Sequence, residues 1–235
     1  MPNHVTSRLV LKGSEEQVKK VIERFSTHYE ETPSIAFDGT QIFRKDDQVG
    51  YLNTDTNVFE VRDGDTFVGV AEGFKPVMEE SWTRFPDFSK VVPPPANLFK
   101  GNLGKEEEEM CKREGRPTWY EWDMSNWGTK WNAYDCIKVS DEEYYFNTAW
   151  SSVPHLISIM SEEFPEVTFE YTYADEDTAY NCGKYTFKNG VTISVNIPEG
   201  GSKEAYEIYF EINPDYREDY ILVDDNYKYK EEELE

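Results

Sequence analysis

No stretch of this 235-residue chain approaches the ~18 or more consecutive apolar residues of a membrane-spanning helix, and its start has no charged segment followed by an apolar run. Neither a membrane span nor a secretory signal peptide is expected. Cysteine is scarce. Cys111, Cys136 and Cys182 lie far apart with no C-x-x-C pair, which argues against a disulfide scaffold or a structural zinc site and for reduced thiols in a cytosol. The recognisable catalytic signatures are missing too: the sequence has no G-x-S-x-G elbow, P-loop, H-E-x-x-H or Gly-rich loop after the first strand. The three histidines, His4, His28 and His155, are isolated in sequence, so surface or structural roles are expected of them. No catalytic residue, metal site or cofactor is expected.

Basic residues are few as well, 24 against 47 acidic, for a formal net charge of -23. Such a chain repels nucleic acid and anionic membrane and suits a basic protein partner; ordinary solubility is the competing explanation. The deficit is uneven. Between Lys138 and Lys184 there is no Lys or Arg, while Glu142, Glu143, Glu162, Glu163, Glu166, Glu170, Asp175, Glu176 and Asp177 fall there. If those residues adjoin, they form an acidic face for a partner. Asp175 to Asp177 could hold a divalent ion, but a solvated loop is the favoured reading. Asp63-Gly64-Asp65 and Asp224-Asp225-Asn226 lack the glycine and distal glutamate of a calcium loop and read as turns.

What is abundant is aromatic. Four of the six tryptophans lie between Trp119 and Trp131. Thr118, followed three residues later by Glu121, predicts a capping box, and Pro117 excludes a longer helix from upstream. A short helix from Trp119 to Trp127 should end at Gly128 in a left-handed conformation, with an extended exit through Thr129 to Asn132. Trp122, Asn126, Trp127, Lys130, Trp131 and Asn132 could form a pocket in which indole faces hold a flat ligand or a cation. The alternative is structural, with Trp127 and Trp131 buried, Lys130 paired to a carboxylate and the asparagines capping the turn.

The hydrophobic periodicity gives an order of elements. Val5, Ser7, Leu9 and Leu11 alternate in a strand over 4–11, and Ser14 with Gln17 caps a helix carrying Val18, Val21, Ile22 and Phe25. Strands over 134–139 and 143–150 form a hairpin, Pro154 opens a helix that stops at Pro165, and Val167, Phe169, Tyr171 and Tyr173 alternate in a further strand. Asn189-Gly190 suits a type I′ turn between strands over 184–188 and 191–197, and another strand is expected over 206–212. Omitting residues 31–118, the order is β-α-β-β-α-β, an antiparallel sheet with two helices on one face. The intervening stretch contains hairpin segments near Ile42, Val58 and Phe67 and an exposed acidic helix over 105–113. From Asn213 on, an acidic tail is expected, though Tyr216, Tyr220, Tyr227 and Tyr229 argue against full disorder.

Four runs carry a family resemblance: Met1-Pro2-Asn3-His4-Val5-Thr6-Ser7-Arg8-Leu9, Phe88-Ser89-Lys90-Val91-Val92-Pro93-Pro94-Pro95, Asn126-Trp127-Gly128-Thr129-Lys130-Trp131-Asn132-Ala133, and Phe146-Asn147-Thr148-Ala149-Trp150 with Pro154. Together they resemble the YubB ferredoxin-like family of phage- and plasmid-borne proteins. The resemblance implies a ferredoxin-like α+β fold, and the order of elements read from the residues gives the same fold, with 1–30 and 119–212 forming one domain, 31–118 inserted, extra C-terminal strands, and 213–235 as a tail. It implies no settled activity. The expected function is that of a non-enzymatic acidic protein in the bacterial cytoplasm that binds a basic host protein, as a counter-defence inhibitor or nucleic-acid mimic. A small-ligand-binding module at Trp127 and Trp131, and an enzyme of unrecognised type, are the alternatives.

Overall fold

A computed structural model of the protein describes residues 3–36, 39–62 and 64–230. Met1 and Pro2 of the first run, Asp63 of the expected turn and the terminal 231–235 lie outside the described residues. The chain divides into two compact units, residues 28–83 and the remainder. Residues 84–118 therefore belong with the unit that contains 1–27 and 119–212.

The larger unit is built on six antiparallel strands: β1 (His4–Lys12), β2 (Tyr134–Lys138), β3 (Glu143–Ala149), β4 (Thr168–Asp175), β5 (Cys182–Lys188) and β6 (Val191–Asn196), in the spatial order β2-β3-β1-β4-β5-β6. Its helices are α1 (Glu15–Phe25), α2 (Phe88–Val91), α3 (Lys105–Glu114), α4 (Trp119–Asn126), α5 (Pro154–Glu163) and α6 (Lys203–Ile212). Strand β1 is central because both faces of its backbone ladder are used. Ser7 lies opposite Phe146 on one side and Tyr173 on the other. Alternation then puts Val5, Ser7, Leu9 and Leu11 on the same side as Phe146, Tyr171 and Phe169, where α1 and α5 cover them. Helix α1 starts on the expected reciprocal box between Ser14 and Gln17 and buries Val18, Val21 and Phe25. Each such side chain contributes about 1.5–3 kcal/mol on burial. The polar groups inside this core are satisfied: the Tyr171 hydroxyl accepts from the Val153 N–H at 3.1 Å and lies 2.9 Å from the Ser7 hydroxyl. Burial pushes the Tyr171 phenol far above its ordinary range despite these bonds.

The opposite side of the sheet carries a second core, and here the structure corrects an expectation. Residues 206–212 are not a strand but part of α6. Tyr206, Ile208, Phe210 and Ile212 alternate, but Ala205, Ile208, Tyr209 and Ile212 recur at helical spacing, and Ser202 caps the helix by accepting from the Ala205 N–H. Tyr206 and Phe210 meet Tyr220 and Tyr227 of a hairpin formed by β7 (Tyr220–Val223) and β8 (Asn226–Tyr229). The helix is thus apolar on two sides, which blurs its period. Glu211 fixes α6 to the sheet by accepting from Arg8 and Lys184. The described part of the segment read as an acidic tail packs around these tyrosines, and Asp224 and Asp225 form the hairpin turn with positive φ.

The Asn189-Gly190 turn joins β5 and β6 as expected, both residues at positive φ. In the smaller unit, Thr66–Val68, Val58–Val61, Gln48–Asn53, Gln41–Lys45 and Lys75–Pro76 form a five-stranded antiparallel sheet in that order, centred on the buried Phe59 and Phe43. The acidic helix is α3, with Cys111 as its buried contact. Among the described residues no helix is long and apolar enough to cross a membrane, and no group of three metal-ligating side chains comes together.

Candidate functional site

The aromatic block divides between the interior and the surface. Helix α4 begins on Thr118, which accepts from the Glu121 N–H and donates its hydroxyl to the Glu121 carboxylate. It ends where Trp127 and Gly128 both donate to the Asp123 carbonyl, with Gly128 at φ 70° as expected. A Cβ on Gly128 would also stand 3.0 Å from the His155 ring. Trp127 is 6% exposed, packs edge-on to Trp122 and Phe88, and donates its indole N–H to the Val92 carbonyl at 2.9 Å. Asn126 donates to the Trp122 carbonyl, so it caps the helix. Asn132 accepts from the Phe88 and Ala133 N–H groups and donates to Asp87. Burial pushes the Asp87 carboxyl up, but hydrogen bonds from Ser89, Thr27 and Asn132 outweigh it and hold the group below its ordinary value. Trp122, Asn126, Trp127 and Asn132 therefore hold the fold.

Lys130 and Trp131 face outward. Residues 128–132 form a series of bends rather than the expected extended exit, because the buried Thr129 hydroxyl donates to the Ala149 carbonyl and accepts from the Ala149 N–H. That pair of bonds sets the bends against the end of β3. Trp131 is 37% exposed, contrary to the expectation that it is buried, and Trp150 beside it is 38% exposed. The Lys130 ammonium lies 4.6 Å from the Trp131 ring centre and 5.0 Å from that of Trp150, so that among the described residues it is held by two indoles and by no carboxylate. Trp131 meets Tyr134 edge-on, and the Tyr134 hydroxyl lies 2.6 Å from His4 Nδ1. Burial, then the charges of Asp135 and Glu176, push the Tyr134 phenol up to about 12, so it stays protonated as a hydrogen-bonding group.

Trp150 ended one of the runs that carry the family resemblance but was not among the candidate site residues, and its backbone marks it. It sits at φ 70°, a left-handed conformation costly for a bulky side chain. Nine non-glycine residues have positive φ among those described. Asp46, Asn57, Asn189, Asp224 and Asp225 occupy hairpin turns, and the other four, Asp135, Trp150, Ala179 and Asn181, gather at this end of the sheet. Strain held in place by surrounding bonds is characteristic of sites that present side chains outward. The Trp150 N–H donates to the Asn3 carbonyl, and Asn3 in turn donates to Asp175 and Asp177.

The acidic residues do not share one face. Asp175, Glu176 and Asp177 stand at the indole end, where Asp175 is 4% exposed and accepts from Asn3, Asn181 and the Asp177 N–H. Glu142, Glu162, Glu163 and Glu166 lie toward the other end of β4, about 23 Å away at ~3.3 Å per strand residue. There Glu142 pairs with Lys12 and Glu163 with Arg24. Glu143 pairs with Arg8 beside α6, and Glu170 lies along β4 opposite Val10. A concavity of about 560 Å³ at that far end is lined by Glu15, Lys19, Glu23, Lys138, Asp141 and Glu142, charges of both signs. Three further concavities, one beside α3 and two in the smaller unit, are lined by residues other than Trp127, Lys130 and Trp131.

The four runs that carried the family resemblance converge here: Asn3 and His4, Phe88 to Val92, Trp127 to Asn132, and Phe146 to Trp150. Residues 126–213 match the family described as a ferredoxin-like domain in Api92-like protein. The chain carries a ferredoxin-like domain. That match begins within the tryptophan block and runs through β6 to the end of α6, so it contains Lys130, Trp131, Trp150 and the Asp175–Asp177 loop. No curated protein and no solved structure matches the chain.

Proposed function

We propose that the protein is a non-enzymatic binding protein of a phage or plasmid that engages a basic protein of its bacterial host, in the cytoplasm, through the indole-bearing end of its sheet. The observation that carries this reading is Lys130 held over Trp131 and Trp150, both half-exposed on a strained, bond-braced backbone and flanked by Glu176 and Asp177. Indole faces that already hold one ammonium are suited to the lysine or arginine side chains of a partner, and the neighbouring carboxylates supply opposite charge. The three free thiols suit a reducing compartment. Because Trp127 is buried and only Trp131 of that pair is exposed, a small-molecule pocket between Trp127 and Trp131 is the weaker reading. The same proposal takes residues 1–30 with 119–212 as one βαββαβ domain in which 31–118 is an insertion; what supports it is the strand order β2-β3-β1-β4 with α1 and α5 on one side.

The test is an affinity pulldown from bacterial lysate with the wild-type chain, Trp131→Ala and Trp150→Gly, at low and high salt. A partner retained by the wild type, released by salt and lost with both variants supports the reading, since screening over roughly 8–10 Å weakens charge attraction. If duplex DNA displaces that partner, the protein acts as a nucleic-acid mimic. Equal retention by both variants, or binding that salt does not weaken, refutes the site.

A further inference from the structure

The two outward tryptophans are held firmly, and the lysine between them is not. The Trp150 N–H donates to the Asn3 carbonyl at 2.8 Å and the Glu176 N–H to the His4 carbonyl at 3.0 Å, so Asn3 and His4 pin both loops at this end. Trp131 is braced edge-on by Tyr134, whose hydroxyl lies 2.6 Å from His4 Nδ1. Among the described residues the Lys130 ammonium has no hydrogen bond and no ion pair, and the two indole faces are what hold it. Attraction between an exposed cation and an indole is weak, and fixing a lysine stem in one conformation costs side-chain freedom of similar size. Lys130 therefore leaves the indoles at little cost.

Two further observations suit the indoles to a second cation. Trp119 and Trp127 donate their indole N–H groups to the Gly101 and Val92 carbonyls, whereas those of Trp131 and Trp150 have no acceptor among the described residues. Asp135, Asp175, Glu176 and Asp177 stand at the same end, and none of them is ion-paired among the described residues. The end keeps an excess of negative charge even with Lys130 in place, which raises the local concentration of cations.

We propose that Trp131 and Trp150 form a seat for one lysine side chain of the basic partner, and that Lys130 is its internal competitor, swinging out when the incoming lysine enters. The inference rests on the indole end being the binding surface. Lys130 itself shows the chemistry that fits, a compact ammonium on an aliphatic stem at 4.6 Å and 5.0 Å from two ring centres. Its presence lowers the apparent affinity for another ammonium in proportion to the fraction of molecules whose seat is open. A free amine is thereby disfavoured relative to a lysine carried by a basic protein, whose other contacts offset the displacement.

Proton–nitrogen NMR spectra, with the outward indole signals assigned through Trp131→Phe and Trp150→Phe, follow a titration of the full chain with N-acetyl-lysine methylamide at constant ionic strength. Lys130→Ala should bind this probe roughly threefold more tightly than the wild type, or better, with both outward indole signals moving. The same spectra report that each variant is folded. N-acetyl-norleucine methylamide, which has the stem without the charge, should move neither signal; equal shifts with both probes would make the seat apolar and overturn the proposal. Lys130→Met removes the charge but keeps a stem over the rings, so it should gain less than Lys130→Ala. An equal gain would mean that repulsion and not occupancy was relieved, and it overturns the proposal, as does a Lys130→Ala chain that binds no more tightly than the wild type. The titration needs no host protein, so its failure is separate from that of the pulldown. A salt-sensitive partner lost with both tryptophan variants, beside a Lys130→Ala chain that gains nothing, keeps the binding surface and removes the internal competitor.

Discussion

Trp127 and Trp131 are four residues apart, and the structure assigns them opposite energetic roles. Trp127→Ala removes an indole that is 6% exposed, leaves the Val92 carbonyl without its donor and abolishes edge-on contacts with Trp122 and Phe88. Truncating a buried tryptophan to alanine costs about 3–5 kcal/mol. The lost hydrogen bond and ring contacts place this site toward the upper half of that range. Trp127→Phe keeps most of the volume and loses the N–H, so it should cost about 1–2 kcal/mol. Trp131→Ala removes a side chain 37% exposed, whose specific contacts are Lys130 and Tyr134. Its loss should cost about 0.5–1 kcal/mol, the strength of an exposed cation–π contact. Urea unfolding followed by far-UV circular dichroism measures all three without relying on tryptophan emission. A Trp127→Ala variant less than about 1.5 kcal/mol below wild type, or one no worse than Trp131→Ala, would refute the division of the block into interior and surface.

The remaining predictions concern single groups. Burial raises the Asp123 carboxyl to about 7, so its folded midpoint lies above the unfolded one. Its contribution is full below the unfolded value and is lost as pH rises through about 7, at most about 4 kcal/mol and about 1–2 after solvent screening. Asp123→Asn should therefore raise the melting temperature more at pH 8 than at pH 5, and an equal shift at both would contradict the assignment. Asp87 has the opposite sign: its lowered carboxyl stabilises the fold above the ordinary carboxylate range and loses that contribution as pH falls below it, so Asp87→Asn should flatten the acid limb of a stability–pH curve. Gly128→Ala should cost about 1–2 kcal/mol, because φ 70° strains any L side chain and the His155 ring stands in the way, as a thermal melt can check. Trp150→Gly relieves the same kind of strain and should leave stability within about 1 kcal/mol of wild type; a larger loss in a denaturant titration would show that Trp150 is structural.

Elements with strong local signals were legible in the sequence. The box between Ser14 and Gln17, the Pro154 start, the Gly128 stop and the Asn189-Gly190 turn each act within a few residues, so the chain states them without its fold. Alternation named the inward residues of β1 and β4 because one side of each faces a helix layer. Local pattern was insufficient at α6, where Ser202 marked a helix start but apolar neighbours on two sides gave Tyr206 to Ile212 a strand-like alternation. It was also insufficient for the tryptophans. Whether an indole is interior depends on partners far along the chain: Val92 is 35 residues from Trp127, and Asp87 is 45 from Asn132. The outward set was settled by Thr129 bonding to Ala149, 20 residues away, which turns Lys130 and Trp131 toward Trp150. The sequence by itself determined the strands β1 to β6, the caps at Ser14 and Gly128 and the neutrality of β6, because those follow from side chains acting on their own backbone. Only the tertiary structure decided that β6 is an edge, that the carboxylates lie at two ends of the sheet, and that a lysine rests between two indoles, since each depends on which distant segments become neighbours.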